Sequence, residues 1–445
     1  MKHVRPLLKL AFPMALSASA ITLMQIIDAI VLSRHSSEAV AAIGAAGMAL
    51  VLFQGFLAGT AGYTGVFVAH SHGQGDAHGV RASAWLGLHV SLFSGVLAFA
   101  VAWPLSRLFL LIGHQPLVVE YESAYFWICM AGSFFPVLSA AMSGWLSGIG
   151  RPTVVMTVNF FSLAVNATLA WGLVQGEWGL PRLGIAGAAF ATVTAQALTA
   201  FLLLSLFFRW GGFSNAVARK FDWPKISHFL SLATPMGLRI SGELAAWTLF
   251  LIIIGRLGTV ELAASSIAFR INGLAFFPAL GLGQAAGILV GHARGACRDD
   301  DVSAICWQSL AVCEIWMLLM ALLYVVAPEQ LMSVFAGDGP DSGLIVTEGI
   351  LILKFVAFYC VFDSANIIIG CVLAAAGDTR WIARAFIISS AVFLILLWLV
   401  GCFMPGLVTE WSLATLFVFA TALIWMFRFR SGAWRKAAVL REKLI

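Results

Sequence analysis

The chain has 445 residues, of which 61% are hydrophobic and only 11% charged. That balance excludes a soluble globular domain and requires lipid as the solvent. The net charge of +5 is read as membrane topology and contact with anionic lipid, which leaves no call for a nucleic-acid partner.

Six apolar stretches long enough to cross a bilayer follow one another at 10–32, 41–69, 84–112, 121–147, 153–175 and 184–209. The first begins like a cleavable leader around Ala18-Ser19-Ala20, but its apolar run continues to Leu32, so it is expected to be retained as a span. A polar break rich in Gly, Asn, Arg and Lys follows, and 211–225 is expected to be a cytoplasmic linker. Six further stretches come at 228–255, 262–292, 304–327, 345–376, 380–403 and 406–429. The expected fold is therefore all-α and integral to the membrane, with twelve transmembrane helices in two six-helix bundles, 1–210 and 226–445. The alternating ten-residue segments of a membrane β-barrel are absent.

The two sets of six are copies. Leu10 to Trp85 recurs without a gap 222 residues later as Leu232 to Trp307. Pro13-Met14 matches Pro235-Met236, Gly59 matches Gly281, Gly65 matches Gly287, His70 matches His292 and Trp85 matches Trp307. Carriers are commonly built this way, and an even number of spans per copy implies a pseudo-two-fold axis along the membrane normal. With both ends inside, nineteen of the 26 basic residues fall on the cytoplasmic side, so both termini are expected there and the membrane is the cell inner membrane. The seven cysteines form no Cys-x-x-Cys pair and read as small core residues.

Seven ionisable residues interrupt the spans: Asp28, Arg239, Glu243, Arg270, Glu314, Lys354 and Asp363. Each costs roughly 2.5–3.5 kcal/mol at mid-membrane, so each should pair or face a water-filled cavity. Asp28 has Gln25 one turn before it and no base in its own span, which makes it a proton or substrate site with the amides Asn159 and Asn166 of span five as candidate partners. Arg239 and Glu243 lie four apart on one face of span seven, as an ion pair or with Glu243 holding an ion. Tyr359, Asp363 and Asn366 share a face of span ten, an oxygen-rich patch suited to Na⁺ or a proton. Arg239, Gln284, Asn366 and Trp247 are candidates for lining a substrate cavity. The acidic run Asp299-Asp300-Asp301 and the histidines His70, His72 and His78 read as loop residues, not metal sites.

In combination these features resemble the MATE multidrug-efflux family over nearly the whole length. The resemblance is carried by Pro13 with Asp28, Gly73-Gln74-Gly75-Asp76, Asn166, the stretch Gly179 to Ala189, Pro235 with Glu243, the stretch Gly281 to Gly291, and Tyr359 with Asp363 before Ala376-Gly377-Asp378. The resemblance implies a cation site at Glu243, Asp363 and Tyr359, as in the NorM branch, and proton coupling or drug release at Asp28. The chain departs from the pattern at His70, where the family has Gln, and at Ala170, where it has a second polar residue in span five.

The function expected is a secondary active antiporter that exports organic cations in exchange for Na⁺ or H⁺ by alternating access, as a monomer in contact with membrane lipid and with no cofactor beyond the coupling ion. A flippase for lipid-linked oligosaccharides is the alternative; it would favour a cavity rich in Arg and Lys, for which only Arg239, Arg270 and Lys354 qualify. An intramembrane enzyme would need paired acidic metal-binding motifs, which are absent, so no enzymatic activity is expected.

Overall fold

The structure is a computed structural model that describes residues 2–34, 36–111, 113–212, 220–337, 339–437 and 439. Residues 213–219 of the expected linker, including Asn215 and Arg219, and the acidic Asp338 lie outside the described residues. In lipid no water takes up unpaired N–H and C=O groups, so the apolar stretches resolve into helices, and no strand occurs among the described residues. They are α1 (Val4–Ser33), α2 (Ser37–Gly62), α3 (Thr64–Gly73), α4 (Ala77–Ser106), α5 (Pro116–Ala131), α6 (Phe134–Gly148), α7 (Pro152–Gln175), α8 (Ile185–Phe207), α9 (Trp223–Ile254), α10 (Thr259–Gly295), α11 (Asp299–Val326), α12 (Pro328–Ala336), α13 (Ser342–Ala375), α14 (Thr379–Phe403) and α15 (Leu407–Arg430).

Local chemistry sets the ends of these helices. Ser36 accepts from the Ala39 N–H at 3.0 Å and Asp76 accepts from His78 N–H at 2.9 Å, each satisfying an otherwise orphaned donor at a helix start. Pro116, Pro152 and Pro328 open α5, α7 and α12, where a missing N–H costs nothing. Gly176, at φ +79°, ends α7 in the left-handed conformation that a side chain would strain.

Eleven of the spans are long and apolar enough to cross a membrane as helices, with α2 and α3 forming one of them; the twelfth is the pair α5 and α6, bent by 45°. The expected span at 121–147 is thus broken near Gly132. The outward faces carry large apolar side chains such as Phe12, Phe93, Phe99, Leu322 and Ile388, all exposed as lipid-facing residues should be.

Two compact units result: residues 16–241, and residues 242–439 together with the segment that precedes residue 16. This differs from the division at 211–225. The first turns of α1 join the second unit, and the first half of α9 joins the first. The reason is close packing of small residues. A Cβ on Gly281 of α10 would stand 2.7 Å from Ala15 N and 2.8 Å from the Ala11 carbonyl oxygen. A Cβ on Gly237 of α9 would stand 2.4 Å from the Phe56 carbonyl oxygen, and Gly59 of α2 faces the same Gly237. The 222-residue offset carries Gly59 onto Gly281 and Ala15 onto Gly237. One backbone-to-backbone crossing is therefore made twice, as lipid-embedded helices require when apolar surface alone gives them no reason to associate.

Further bonds hold these segments in place. In the second unit the His3 N–H donates to Gln308 Oε1 at 3.0 Å, and in the first Ser241 Oγ donates to the Leu52 carbonyl at 2.6 Å. Arg428 at the end of α15 clasps Asp378 through two bonds of 2.7 and 3.1 Å and lies over the Trp381 ring.

Gly281→Val should cost roughly 1–3 kcal/mol by overpacking and lower the melting temperature in detergent, whereas Gly273→Val, on the same helix with only a Phe277 ring carbon at 3.6 Å, should change it much less. Equal melting temperatures for the two variants would remove the crossing as a determinant of the fold.

Candidate functional site: buried carboxylates in each unit

In the first unit, close crossings bring α1, α7 and α8 together. A Cβ on Gly187 of α8 would lie 2.6 Å from the Leu173 carbonyl oxygen of α7, so these helices approach almost backbone to backbone. That approach aligns Asn166 of α7 with Thr192 of α8. Thr192 Oγ1 lies 2.8 Å from Asp28 Oδ2 of α1 and 3.0 Å from its own Ala188 carbonyl, so its single hydroxyl proton serves one of the two. Asn166 Nδ2 donates to Thr192 Oγ1 at 3.4 Å.

Asp28 is 2% exposed and Asn166 fully buried, yet Asp28 Oδ1 and Asn166 Oδ1 have no hydrogen-bond donor among the described residues. Thr192 is the one donor within bonding distance of the carboxylate, and the Asn166 amide lies within electrostatic reach of it. Tyr125 and Cys129 of α5 lie within electrostatic reach of Asp28. A carboxylate so placed in an apolar interior is costly unless further donors, a proton or a cation reach it.

The sequence candidates divide here. Asn166 joins Asp28 through Thr192. Asn159 instead donates to Ser17 Oγ at 2.5 Å, three turns of α1 before Asp28, and Gln25 is exposed. Asn159 shares a face of α7 with Asn166 but lies two turns, about 10 Å, along the helix, which puts it opposite Ser17 and away from Asp28. Thr192 escaped the sequence reading: a threonine among alanines in a span is an ordinary small residue until a carboxylate is placed opposite it.

In the second unit, α13 is the central helix. A Cβ on Gly283 of α10 would lie 2.8 Å from Ile367 Cγ2, which presses α10 onto α13 one turn after Asp363. Tyr359 is buried and its hydroxyl accepts from Asn272 Nδ2 at 3.1 Å, while Cys360 Sγ lies 3.6 Å from Asn272 Oδ1. Ser364 Oγ donates to Glu314 Oε2 of α11. Asp363 and Glu314 are both within electrostatic reach of Cys313 and Cys360, so two carboxylates converge here. Asn366 Nδ2 is spent on the Val418 carbonyl at 3.0 Å, while its Oδ1 has no donor among the described residues.

Glu243 and Arg239 are half-buried on one face of α9, and Gln284 is exposed between buried neighbours on α10. Arg270 and Lys354 are exposed. Trp247 is half-buried and packs at 5.3–6.4 Å against Phe250, Phe269, Phe393 and Phe417.

That aromatic cluster occupies the place of the first unit's acid. The 222-residue offset carries Asp28 onto Phe250, and aligning the glycine turns at Gly150 and Gly377 carries Asn166 onto Phe393. Phe250 and Phe393 stack at 6.2 Å. The duplicated halves therefore keep their acids at different positions, with Asp28 on the first helix of one and Asp363 with Glu314 on later helices of the other.

Two further buried acids were overlooked as intramembrane charges because they sit near helix starts. Glu122 of α5 is fully buried and bonded to His114 Nδ1 at 2.8 Å, and Glu410 of α15 is 1% exposed with Oε2 lacking a partner.

Duplicated bundles of membrane-spanning helices with carboxylates set among hydroxyls and amides are the build of a membrane carrier. The MatE family model matches residues 13–171 and 235–400, two stretches that begin at the paired prolines, and the chain belongs to that family. It is 26% identical over 456 residues to the probable multidrug resistance protein NorM of Agrobacterium fabrum, covering 100% of this chain and 94% of that relative. It is 28% identical over 385 residues to the multidrug resistance protein NorM of Burkholderia vietnamiensis, covering 85% and 83%. Its fold matches the outward-facing conformation of a multidrug resistance MATE family transporter of the MOP superfamily, with a TM-score of 0.87 and 20% identity over 97% of this chain and 96% of that one. A crystal structure of MATE in complex with MaL6 gives 0.88 and 20% over 97% of both. The chain is thus a multi-pass transporter of the multidrug-efflux type.

Thr192→Val should strip Asp28 of its hydroxyl partner and lower stability by about 1.5–3 kcal/mol, with Thr192→Ser retaining most of it. Melting curves of the two purified variants check this: a loss in Thr192→Ser with none in Thr192→Val would mean that the methyl group matters and the hydrogen bond does not.

Proposed function

We propose that this transporter is an antiporter that exports organic cations in exchange for H⁺ or Na⁺ by alternating access. Asp28 carries the reading. Its Oδ1 is buried without a donor, and a bound proton would supply what Thr192 and Asn166 cannot. The Na⁺ reading draws on the second unit, where Asp363, Glu314 and the oxygens of Tyr359, Ser364 and Asn366 form a hard, anionic donor set of the kind that suits such an ion. Glu243 belongs with that set in this proposal. An ion drives transport only by binding one conformation better than the other, and burial of an unneutralised carboxylate makes that difference large. A membrane potential adds about 2.3 kcal/mol per charge per 100 mV.

The same proposal places the chain in the cell inner membrane as a monomer with both termini cytoplasmic. Support for that orientation comes from Arg294, Arg298, Arg380, Arg384, Arg428 and Arg430, which gather at helix ends on the side where the His3 backbone meets Gln308.

The experiment is uptake of a fluorescent organic cation by liposomes holding the purified protein, under an imposed pH gradient and, separately, an imposed Na⁺ gradient. The expected result is pH-driven transport lost in Asp28→Asn, or Na⁺-driven transport lost in Asp363→Asn and Glu243→Gln, each by at least about tenfold, the size of one lost charge-assisted contact. Transport under neither gradient would overturn antiport and leave the flippase reading.

A further inference from the structure

The second unit contains a cavity of about 550 Å³ lined by Ser303, Trp307, Phe429, Arg430, Trp434 and Arg435, along with the Ser431-Gly432 turn. It sits where α11 begins and α15 ends, at the level where a spanning helix leaves the hydrocarbon. A cavity of this size holds a small polar ligand.

Its chemistry is one-sided. Arg430 lies over the Trp307 ring at 5.7 Å and Arg435 over Trp434 at 5.5 Å, and neither guanidinium has an acidic partner among the described residues. The Trp307 indole N–H and the Ser303 hydroxyl make no hydrogen bond there either. No carboxylate lines the cavity. Of the three acids before Ser303, Asp299 lies 3.4 Å from Arg294 and Asp301 3.4 Å from Arg298, and the third, Asp300, does not line the cavity. Arg294 is itself occupied by the carbonyls of Trp434 and Ala437.

Comparison of the two repeats shows that this site is a departure from the duplicated plan. Trp85 and Phe207 meet at 5.9 Å and 71°; their counterparts Trp307 and Phe429 meet at 6.0 Å and 79°. In the first unit the Trp85 N–H donates to the Gly212 carbonyl at 3.0 Å and Phe208 covers the ring at 6.1 Å. The offset puts Trp434 at the position of Gly212 and Arg430 at that of Phe208. Trp434 stacks on Phe429 at 5.7 Å, the Trp307 N–H is left without its acceptor, and a cation replaces the covering phenyl ring.

From this we infer that the cavity is a binding site for a phosphate group, supplied by the headgroup of an anionic phospholipid. Two guanidiniums, an indole N–H and a hydroxyl are donors only or donors first, the set that phosphate oxygens require. The position at a span end puts them at headgroup depth, beside an indole of the type that anchors there.

The test is native mass spectrometry of the full-length protein in detergent, titrated with phosphatidylglycerol and with phosphatidylcholine of the same acyl chains. Phosphatidylglycerol should bind the wild type about tenfold more tightly than phosphatidylcholine, and the double variant Arg430→Phe/Arg435→Gln should lose that preference. Arg430→Phe restores the residue of the first repeat and so keeps the ring packing. Lys436→Gln, one residue outside the cavity, should leave the preference intact. Melting curves without lipid identify a misfolded double variant, in which case the single exposed change Arg435→Gln carries the test and should lower the preference severalfold. Equal binding of the two lipids, or an equal loss in Lys436→Gln, would overturn the site. Displacement of phosphatidylglycerol by millimolar inorganic phosphate, with the same arginine dependence, would retain the phosphate site but overturn the lipid as its source.

Discussion

Helices in lipid gain little by burying apolar surface against one another, so they associate where small residues let backbones touch. Here that contact is the crossing of Gly281 with Ala15 and its repeat copy, Gly59 with Gly237. Much of the structure depends on it. The crossing ties the opening turns of each repeat's first helix into the unit built mainly by the other repeat, and Pro13 and Pro235 lie shortly before the points at which α1 and α9 change units. Asp28 and Glu243 lie beyond those points, on the portions that remain with their own repeats. A proline in a spanning helix is tolerated because neighbouring groups take up the freed carbonyl, and it supplies a place to bend.

Close crossings also build the polar clusters. Gly187 against Leu173 brings Asn166 and Thr192 onto Asp28, and Gly283 against Ile367 holds the Asn272–Tyr359 bond beside Asp363. Asp28 in the first unit is buried, and Asp363 and Glu314 in the second are half-buried, with hydroxyls and amides around them. Neutral partners of this kind can stabilise either the protonated or the ionised form, whereas a buried salt bridge is costly to break once formed. The former suits the ion uptake and release of the antiport we propose.

The two halves keep the helix plan and diverge in the side chains of their interiors. Where the first half has Asp28 and Asn166, the second has the stacked Phe250 and Phe393; where the first closes on Trp85 with Phe208, the second places Arg430 on Trp307. Duplication preserves positions that are set by backbone contact, such as the glycines and prolines. Side chains facing an interior pocket are released from that constraint once only one copy of each site is needed.

The spans, their duplication, the family and the presence of Asp28 and Asp363 inside spans were all legible in the sequence, because each depends on a local quantity: run length, spacing, or a charge among apolar neighbours. The partners of those acids were not. Asn159 and Asn166 share a face of α7, yet only Asn166 reaches the Asp28 cluster, and Thr192 and Ser364 carry no mark that separates them from other small polar residues in spans. Trp247 read as a cavity residue and is packed among phenylalanines. The exchange of the first turns of α1 and α9 was equally hidden, since it depends on which helix passes within backbone distance of which glycine. Composition and period by themselves determined that this chain is a duplicated bundle of membrane helices with acids in its interior; only tertiary packing decided which oxygens face those acids, because hydrogen bonds between helices depend on rotation and approach distance that no single segment encodes.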